Sequence, residues 1–147
     1  MSHFLFIAGT LRERSSGESA SLQLSHGLWG CCTALIRDNL TTYLTPDSHA
    51  LIYVLKTGVC ADVTIASPVL PIQQMDELLR DDFKTEARFG FVRVTLNKQW
   101  ESTPQQSHAV LQSVLQITDP AELSRRLSLG MHRLTNEEYA AIVAALH

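Results

Sequence analysis

One stretch constrains the fold more than any other. Ala50-Leu51-Ile52-Tyr53-Val54-Leu55 is apolar at every position, so neither face of an extended strand here suits water. Period two sends Leu51, Tyr53 and Leu55 to one side and Ile52 and Val54 to the other. Such a strand belongs in the middle of a sheet that is covered on both faces. Lys56-Thr57-Gly58 follows at once and predicts a tight hairpin, with Gly58 supplying a positive φ. Val59 to Ser67 is the returning strand, ended by Pro68 and Pro71.

The other segments fit around that hairpin. His3 to Gly9 reads as a buried strand and Leu11 to Glu18 as a polar loop. Glu18 to His26 reads as a helix stopped by Gly27. Leu28 to Thr33 has no clear period and reads as a loop or irregular edge segment, and Arg37 to Leu40 as a turn. Gln73 to Asp81 predicts a short helix with Met75, Leu78 and Leu79 on one face, and Phe89 to Leu96 predicts another strand. Glu101 to Ser107, with Pro104, is simply polar. Asp119 and Pro120 are the N-cap and first residue of a helix. Thr135 and Glu138 form a capping box that opens a last helix through Tyr139, Ile142, Val143 and Leu146. Strands alternating with short helices point to an α+β fold with a small, curved, mostly antiparallel sheet.

At 147 residues the chain has the size of one domain, expected to span residues 1–147. Its net charge of −3 gives no broad attraction to nucleic acid or to an anionic membrane, so any such binding has to come from a local patch. Three cysteines, two of them adjacent, make a poor disulfide set. No stretch reads as a signal peptide or a bilayer span. The expected setting is soluble, reduced and cytoplasmic.

Enzyme chemistry finds little support. His26 near Cys31 and Cys32 suggests a cysteine–histidine nucleophile, yet nothing in the sequence supplies an orienting carboxylate or an oxyanion device. His26, Cys31, Cys32 and Cys60 lack metal-ligand spacing. Asp81 and Asp82 read as a solvated face. A phosphate-cradling glycine loop and a nucleophile elbow are both missing. The expectation is a non-enzyme that needs no cofactor and no metal.

A resemblance adds to this. The order runs from a strand ending in Ala8-Gly9-Thr10 to Gly27-Leu28-Trp29-Gly30-Cys31-Cys32-Thr33, then Arg37-Asp38-Asn39-Leu40. Next come the Ala50–Leu55 strand, Gly58, and Asp62-Val63-Thr64-Ile65-Ala66-Ser67-Pro68. This order resembles the EVE and YTH domains of the PUA-like superfamily, well over residues 3–68 and loosely at Phe89 to Val94. Leu134-Thr135-Asn136-Glu137-Glu138 also looks like the prokaryotic EVE-type ending. The Lys-Ser that the RNA-reading branch and the eukaryotic EVE type carry after the first strand is replaced here by Ala8-Gly9-Thr10, and the Gly-Asp of many relatives before the central strand by Ser48-His49. Both differences point to the prokaryotic EVE style.

The resemblance implies a small curved β-barrel or sheet flanked by short helices, and a reader of methylated or hydroxymethylated bases. Such a reader flips the base into an aromatic pocket. Trp29 then matches the cage tryptophan. Gly30, Cys31 and Cys32 set backbone groups against the base edge, and Ala8, Gly9 and Thr10 line the other side. Trp100, Phe83 and Phe89 are candidates for the second wall. Arg12, Arg14 and Arg37, with Lys84, Arg88, Arg93 and Lys98, are candidate phosphate contacts. The implied partner is nucleic acid carrying a modified base, DNA before RNA, within a modification-dependent restriction system. A fused or associated nuclease or NTPase would do the cutting, so the chain is expected to be a stand-alone reader or part of a larger protein. A PUA-like RNA-binding or protein-interaction module without a base pocket is the alternative.

Overall fold

The computed structural model describes residues 2–146. In chain order the elements are β1 (His3–Ala8), α1 (Ser16–Ser25), β2 (Leu28–Gly30), α2 (Ala34–Tyr43), β3 (His49–Val54), β4 (Gly58–Ile65), α3 (Glu77–Arg80), β5 (Phe91–Gln99), α4 (Pro104–Leu115), α5 (Pro120–Leu127), β6 (Met131–Leu134) and α6 (Asn136–Leu146). The strands form one curled sheet in the order β2-β5-β4-β3-β1-β6. β1 and β3 run parallel, and the remaining pairs are antiparallel.

The all-apolar strand lies inside the sheet, as its composition requires. Ala50, Ile52 and Val54 join Phe4, Phe6 and Ala8 of β1 in a core shared with Trp29, Ile36 and Leu40. Leu51 and Tyr53 join Leu5 and Ile7 in a second core on the opposite face, closed by Leu111 of α4, Leu123 and Leu127 of α5, and Ile142 and Leu146 of α6. Two layers of helix thus cover one two-faced sheet. A third, smaller core gathers Leu28, Met75, Phe83, Ala87 and Phe91.

The β3–β4 hairpin forms as expected, but two residues adopt left-handed φ: Lys56 at +67° and Gly58 at +100°. Gly58 is needed for space as well, since a Cβ there would sit 2.2 Å from the Ser107 hydroxyl. That hydroxyl accepts the Val59 N–H at 2.9 Å and docks α4 against the sheet.

Several sequence expectations change. Arg37 to Leu40 is not a turn but the middle of α2, which Thr33 starts by accepting the Ile36 N–H at 3.2 Å. Residues 73–81 are not one helix. Asp76 recaps the chain by accepting the Leu78 N–H at 3.0 Å, and Arg80 holds the carbonyls of Gln73 and Met75. A 3₁₀ turn and the four-residue α3 result, with Met75 buried and Leu78 86% exposed. The strand expected from Phe89 begins at Phe91, because Gly90 turns the chain at φ +118°. The polar segment around Pro104 is the start of α4, capped by Thr103. β6 has only four residues, too few for an alternating pattern to show. The capping box of α6 is present, with Thr135 and Glu138 each accepting the other's backbone N–H.

Two histidines, His3 buried and His132 half-buried, make stability depend on pH. Burial, helped by the neighbouring His49, holds His3 below the ordinary histidine pKa. Burial does the same to His132, with Arg126 adding to the effect. The unfolded chain therefore takes up protons that the fold refuses. The stabilisation is complete above about pH 6.5 and declines as pH falls toward the folded values. The melting midpoint is expected to drop between about pH 7.5 and 5.5, above the carboxylate range, and His132→Gln should flatten that slope. Thermal melts across this window check it, and a midpoint that rises on acidification contradicts it.

Candidate nucleic-acid interface

Because β1 and β3 are parallel, both strands deliver the chain to the same end of the sheet. A cleft of about 640 Å³ opens there. Its walls are mostly apolar, from Ile7, Leu55, Leu127 and Leu129. Gly9, Cys32 and Thr33 border it, and Tyr53, Lys56 and His108 add polar groups. Mostly apolar walls with a few polar groups are the usual make-up of a site for a planar organic ligand. Thr33 is also the N-cap of the ten-residue α2, whose free N–H groups favour negative charge nearby.

The structure brings only part of the expected pocket to this cleft. Gly9 and Cys32 border it, while Thr10 is exposed beyond the end of β1. Ala8 is buried in the first core. Trp29 is a core residue too, only 4% exposed, with its ring nearly parallel to that of Phe6 (11°) at 5.8 Å. The backbone of the next two residues is already engaged. The Gly30 N–H donates to Gln23 Oε1 at 2.8 Å, and the Cys31 N–H donates to the Gly90 carbonyl at 2.8 Å. The Cys31 carbonyl accepts from the Phe89 N–H at 2.9 Å. These groups hold the β2 edge to the sheet and are not free to meet a base edge.

The other aromatic candidates lie apart. Trp100 packs against the second core, on the face of the sheet opposite Trp29. Phe83 is fully buried in the third core, where the His26 ring meets its edge at 5.8 Å. The cysteines do not resemble nucleophiles. Burial pushes the Cys31 thiol up to about 12 and raises the half-buried Cys60 as well, the opposite of an activated thiolate. Sequence reasoning missed His108 and Thr33. The only signal for His108 was the Thr103-Pro104 start of its helix, the same kind of signal that was read correctly at Asp119-Pro120.

No protein-family model matches the sequence, and no curated protein matches it either. Solved structures do match. Human THYN1, in complex with 5-methylcytosine containing DNA, aligns with a TM-score of 0.64 at 17% identity, covering 99% of this chain and 98% of that one. A Pseudomonas putida protein aligns at 0.63 and 16% identity, covering 97% and 98%. The YTH domain of Zygosaccharomyces rouxii MRB1, in complex with N6-methyladenosine RNA, aligns at 0.59 and 11%, covering 99% and 83%. The chain has an EVE/YTH-like α+β fold.

On this EVE/YTH-like fold the basic candidates separate into two groups. Arg14 is committed to the interior. Its guanidinium lies 3.4 Å from the buried Glu86 carboxylate, donates to the Asp82 carbonyl at 2.8 Å and rests over Phe83 at 5.8 Å. Lys84 pairs with Asp81 at 3.6 Å, and Arg93 lies over Phe91. Arg12 and Lys98 are exposed. Arg37 and Arg88, from different elements, converge on Phe89 at 5.4 and 5.2 Å from the ring centre. Arg37 also pairs with its neighbour Asp38 at 3.0 Å. Phe89 is bonded through its backbone to Cys31, beside the Cys32–Thr33 border of the cleft. Among the described residues, no helix is long and apolar enough to cross a membrane.

Proposed function

We propose that this EVE/YTH-like domain binds nucleic acid and reads a methylated or hydroxymethylated base, which it takes into the cleft at the ends of β1 and β3. The observation that carries the reading is the cleft itself. It is mostly apolar, lies between Gly9 and Cys32–Thr33 and adjoins the start of α2. Relatives of this fold were solved with 5-methylcytosine DNA and N6-methyladenosine RNA, which supports a modified base as the ligand. Unstacking a base costs a few kcal/mol. The cleft returns this by burying the base, to which a methyl adds about 0.8 kcal/mol. Trp29 does not form the seat directly; it backs β2 through Phe6.

Arg37 and Arg88, steadied on Phe89, are the proposed phosphate anchors. DNA is the favoured partner over RNA. The domain acts as the non-enzymatic, cytoplasmic reader of a modification-dependent restriction system, and a separate nuclease or NTPase module does the cutting. With a net charge of −3, affinity rests on the cleft and these few cations.

The test uses one tool the structure supplies. A Cβ added at Gly9 meets nothing within 4 Å, and Gly9 borders the cleft, so Gly9→Phe is expected to fill its mouth without crowding the core. Wild type is expected to prefer an oligonucleotide with a modified base over its plain counterpart, and Gly9→Phe to lose that preference at unchanged melting temperature. Binding titrations decide it. No preference for any modified oligonucleotide leaves the alternative, a PUA-like RNA-binding or protein-interaction module. Arg37→Ala and Arg88→Ala should each lower the salt slope of binding by about one while leaving the modified-to-plain ratio intact. An unchanged slope in both variants removes them as phosphate anchors.

A further inference from the structure

Most of the cleft wall is apolar, but a hydrogen-bonded aromatic pair stands on it. The Tyr53 hydroxyl lies 2.6 Å from Nε2 of His108, with the two rings nearly parallel (8°) and their centres 6.0 Å apart. Tyr53, on β3 and only 2% exposed, and the half-buried His108, on α4, both line the cleft alongside Ile7, Leu55 and Leu127, which Trp29 does not. The fold therefore draws two polar aromatics from distant segments to one place on a mostly apolar wall.

We infer that Tyr53 and His108 are the specificity-determining pair of the cleft and hydrogen-bond the Watson–Crick edge of the base that enters it; this rests on the base-reading function proposed above. The chemistry follows from the pair itself. If the tyrosine O–H donates to Nε2, the neutral ring carries its proton on Nδ1, and the tyrosine oxygen keeps a free lone pair. If Nε2–H donates instead, the tyrosine hydroxyl is the free donor and Nδ1 the free acceptor. Either tautomer keeps one donor and one acceptor for a ligand. The Watson–Crick edge of cytosine or adenine pairs an amino donor with a ring-nitrogen acceptor. Among apolar walls an unmatched polar group is costly, so a base that lacks this edge is rejected. An alkyl group on the amino nitrogen takes away one of its hydrogens and puts carbon against the polar pair. The class recognised is therefore a base modified away from this edge, such as a pyrimidine substituted at C5.

The experiment titrates wild type, Tyr53→Phe and His108→Phe with otherwise identical oligonucleotides carrying 5-methylcytosine, N6-methyladenine or no modification. Ring ¹⁵N signals of His108 in wild type are followed in parallel. Wild type is expected to prefer 5-methylcytosine, and each variant to lose about tenfold of its preference over N6-methyladenine, the scale of one missing hydrogen bond, while the ratio over plain cytosine, which shares the same edge, stays. The His108 signals should move with the 5-methylcytosine oligonucleotide far more than with the plain one. Where a variant fails to fold, those wild-type signals decide. A preference over N6-methyladenine kept by both folded variants, or His108 signals that do not respond, overturns the pair and leaves the base-reading function standing. A wild type that favours N6-methyladenine overturns the C5 class. A wild type with no preference at all overturns the function and the pair together.

Discussion

Replacing Trp29 by alanine is expected to remove about 3–5 kcal/mol of stability, the usual cost of deleting a large buried aromatic. For a chain of this length that lowers the melting midpoint by on the order of 10 °C. The indole is only 4% exposed, lies against Phe6 and belongs to the core that joins β1, β3 and α2. Its removal leaves a cavity that a sheet edge anchored by backbone hydrogen bonds cannot close. Trp29→Phe should cost clearly less, because most of the ring area survives. Chemical or thermal denaturation of both variants checks this. A consequence follows for binding experiments: loss of nucleic-acid binding by Trp29→Ala reports unfolding as much as recognition, which is why Gly9→Phe is the sharper probe. If Trp29→Ala keeps wild-type stability while losing modified-base preference, Trp29 is a pocket wall after all.

The second large effect is expected at Arg14. Glu86 is buried, with only 5% of its side chain exposed beside 16% for Arg14. Its Oε2 is met by Arg14 and by the Ser19 hydroxyl at 3.0 Å, whereas Oε1 has no hydrogen-bond partner. Arg14→Ala strands that carboxylate in the interior, a change that typically costs about 3–5 kcal/mol. The double variant Arg14→Ala/Glu86→Gln removes both the stranded charge and its partner, and should recover part of the loss. Melts of the single and double variants, with the salt slope measured where Arg14→Ala remains folded, distinguish the two roles proposed for this arginine. A structural Arg14 lowers the midpoint and leaves the slope alone. A normal midpoint with a reduced slope returns it to the phosphate track.

The two arginines of the first loop show why position along the chain did not decide role. Arg12 and Arg14 are two residues apart in a polar loop, and nothing local separates them. Arg12 ends in solvent, whereas Arg14 reaches a carboxylate 72 positions later. The partner of each is a property of how the 81–89 segment folds back over α1. The same holds for Arg37 and Arg88, which share a phenyl ring only because Phe89 is tied to Cys31. The position of Trp29 has a related cause. A tryptophan between glycines looks available, but the Gly30 N–H is used by Gln23, and the ring turns inward onto Phe6.

What the sequence determined by itself was local or periodic. The apolar Ala50–Leu55 run demanded an interior strand with a core on each face. Gly58 demanded the hairpin, and the Asp119-Pro120 and Thr135–Glu138 pairs demanded helix starts, because capping and φ preferences act within four residues. The chain order of strands and motifs carried the EVE/YTH-like resemblance. Tertiary structure alone decided what meets across the sheet. It closed a cleft where two parallel strands end together, placed His108 beside Tyr53, and sank Trp29 and Arg14 into the interior. Burial and pairing depend on contacts between residues dozens of positions apart, and no local pattern encodes which of two similar side chains finds the partner.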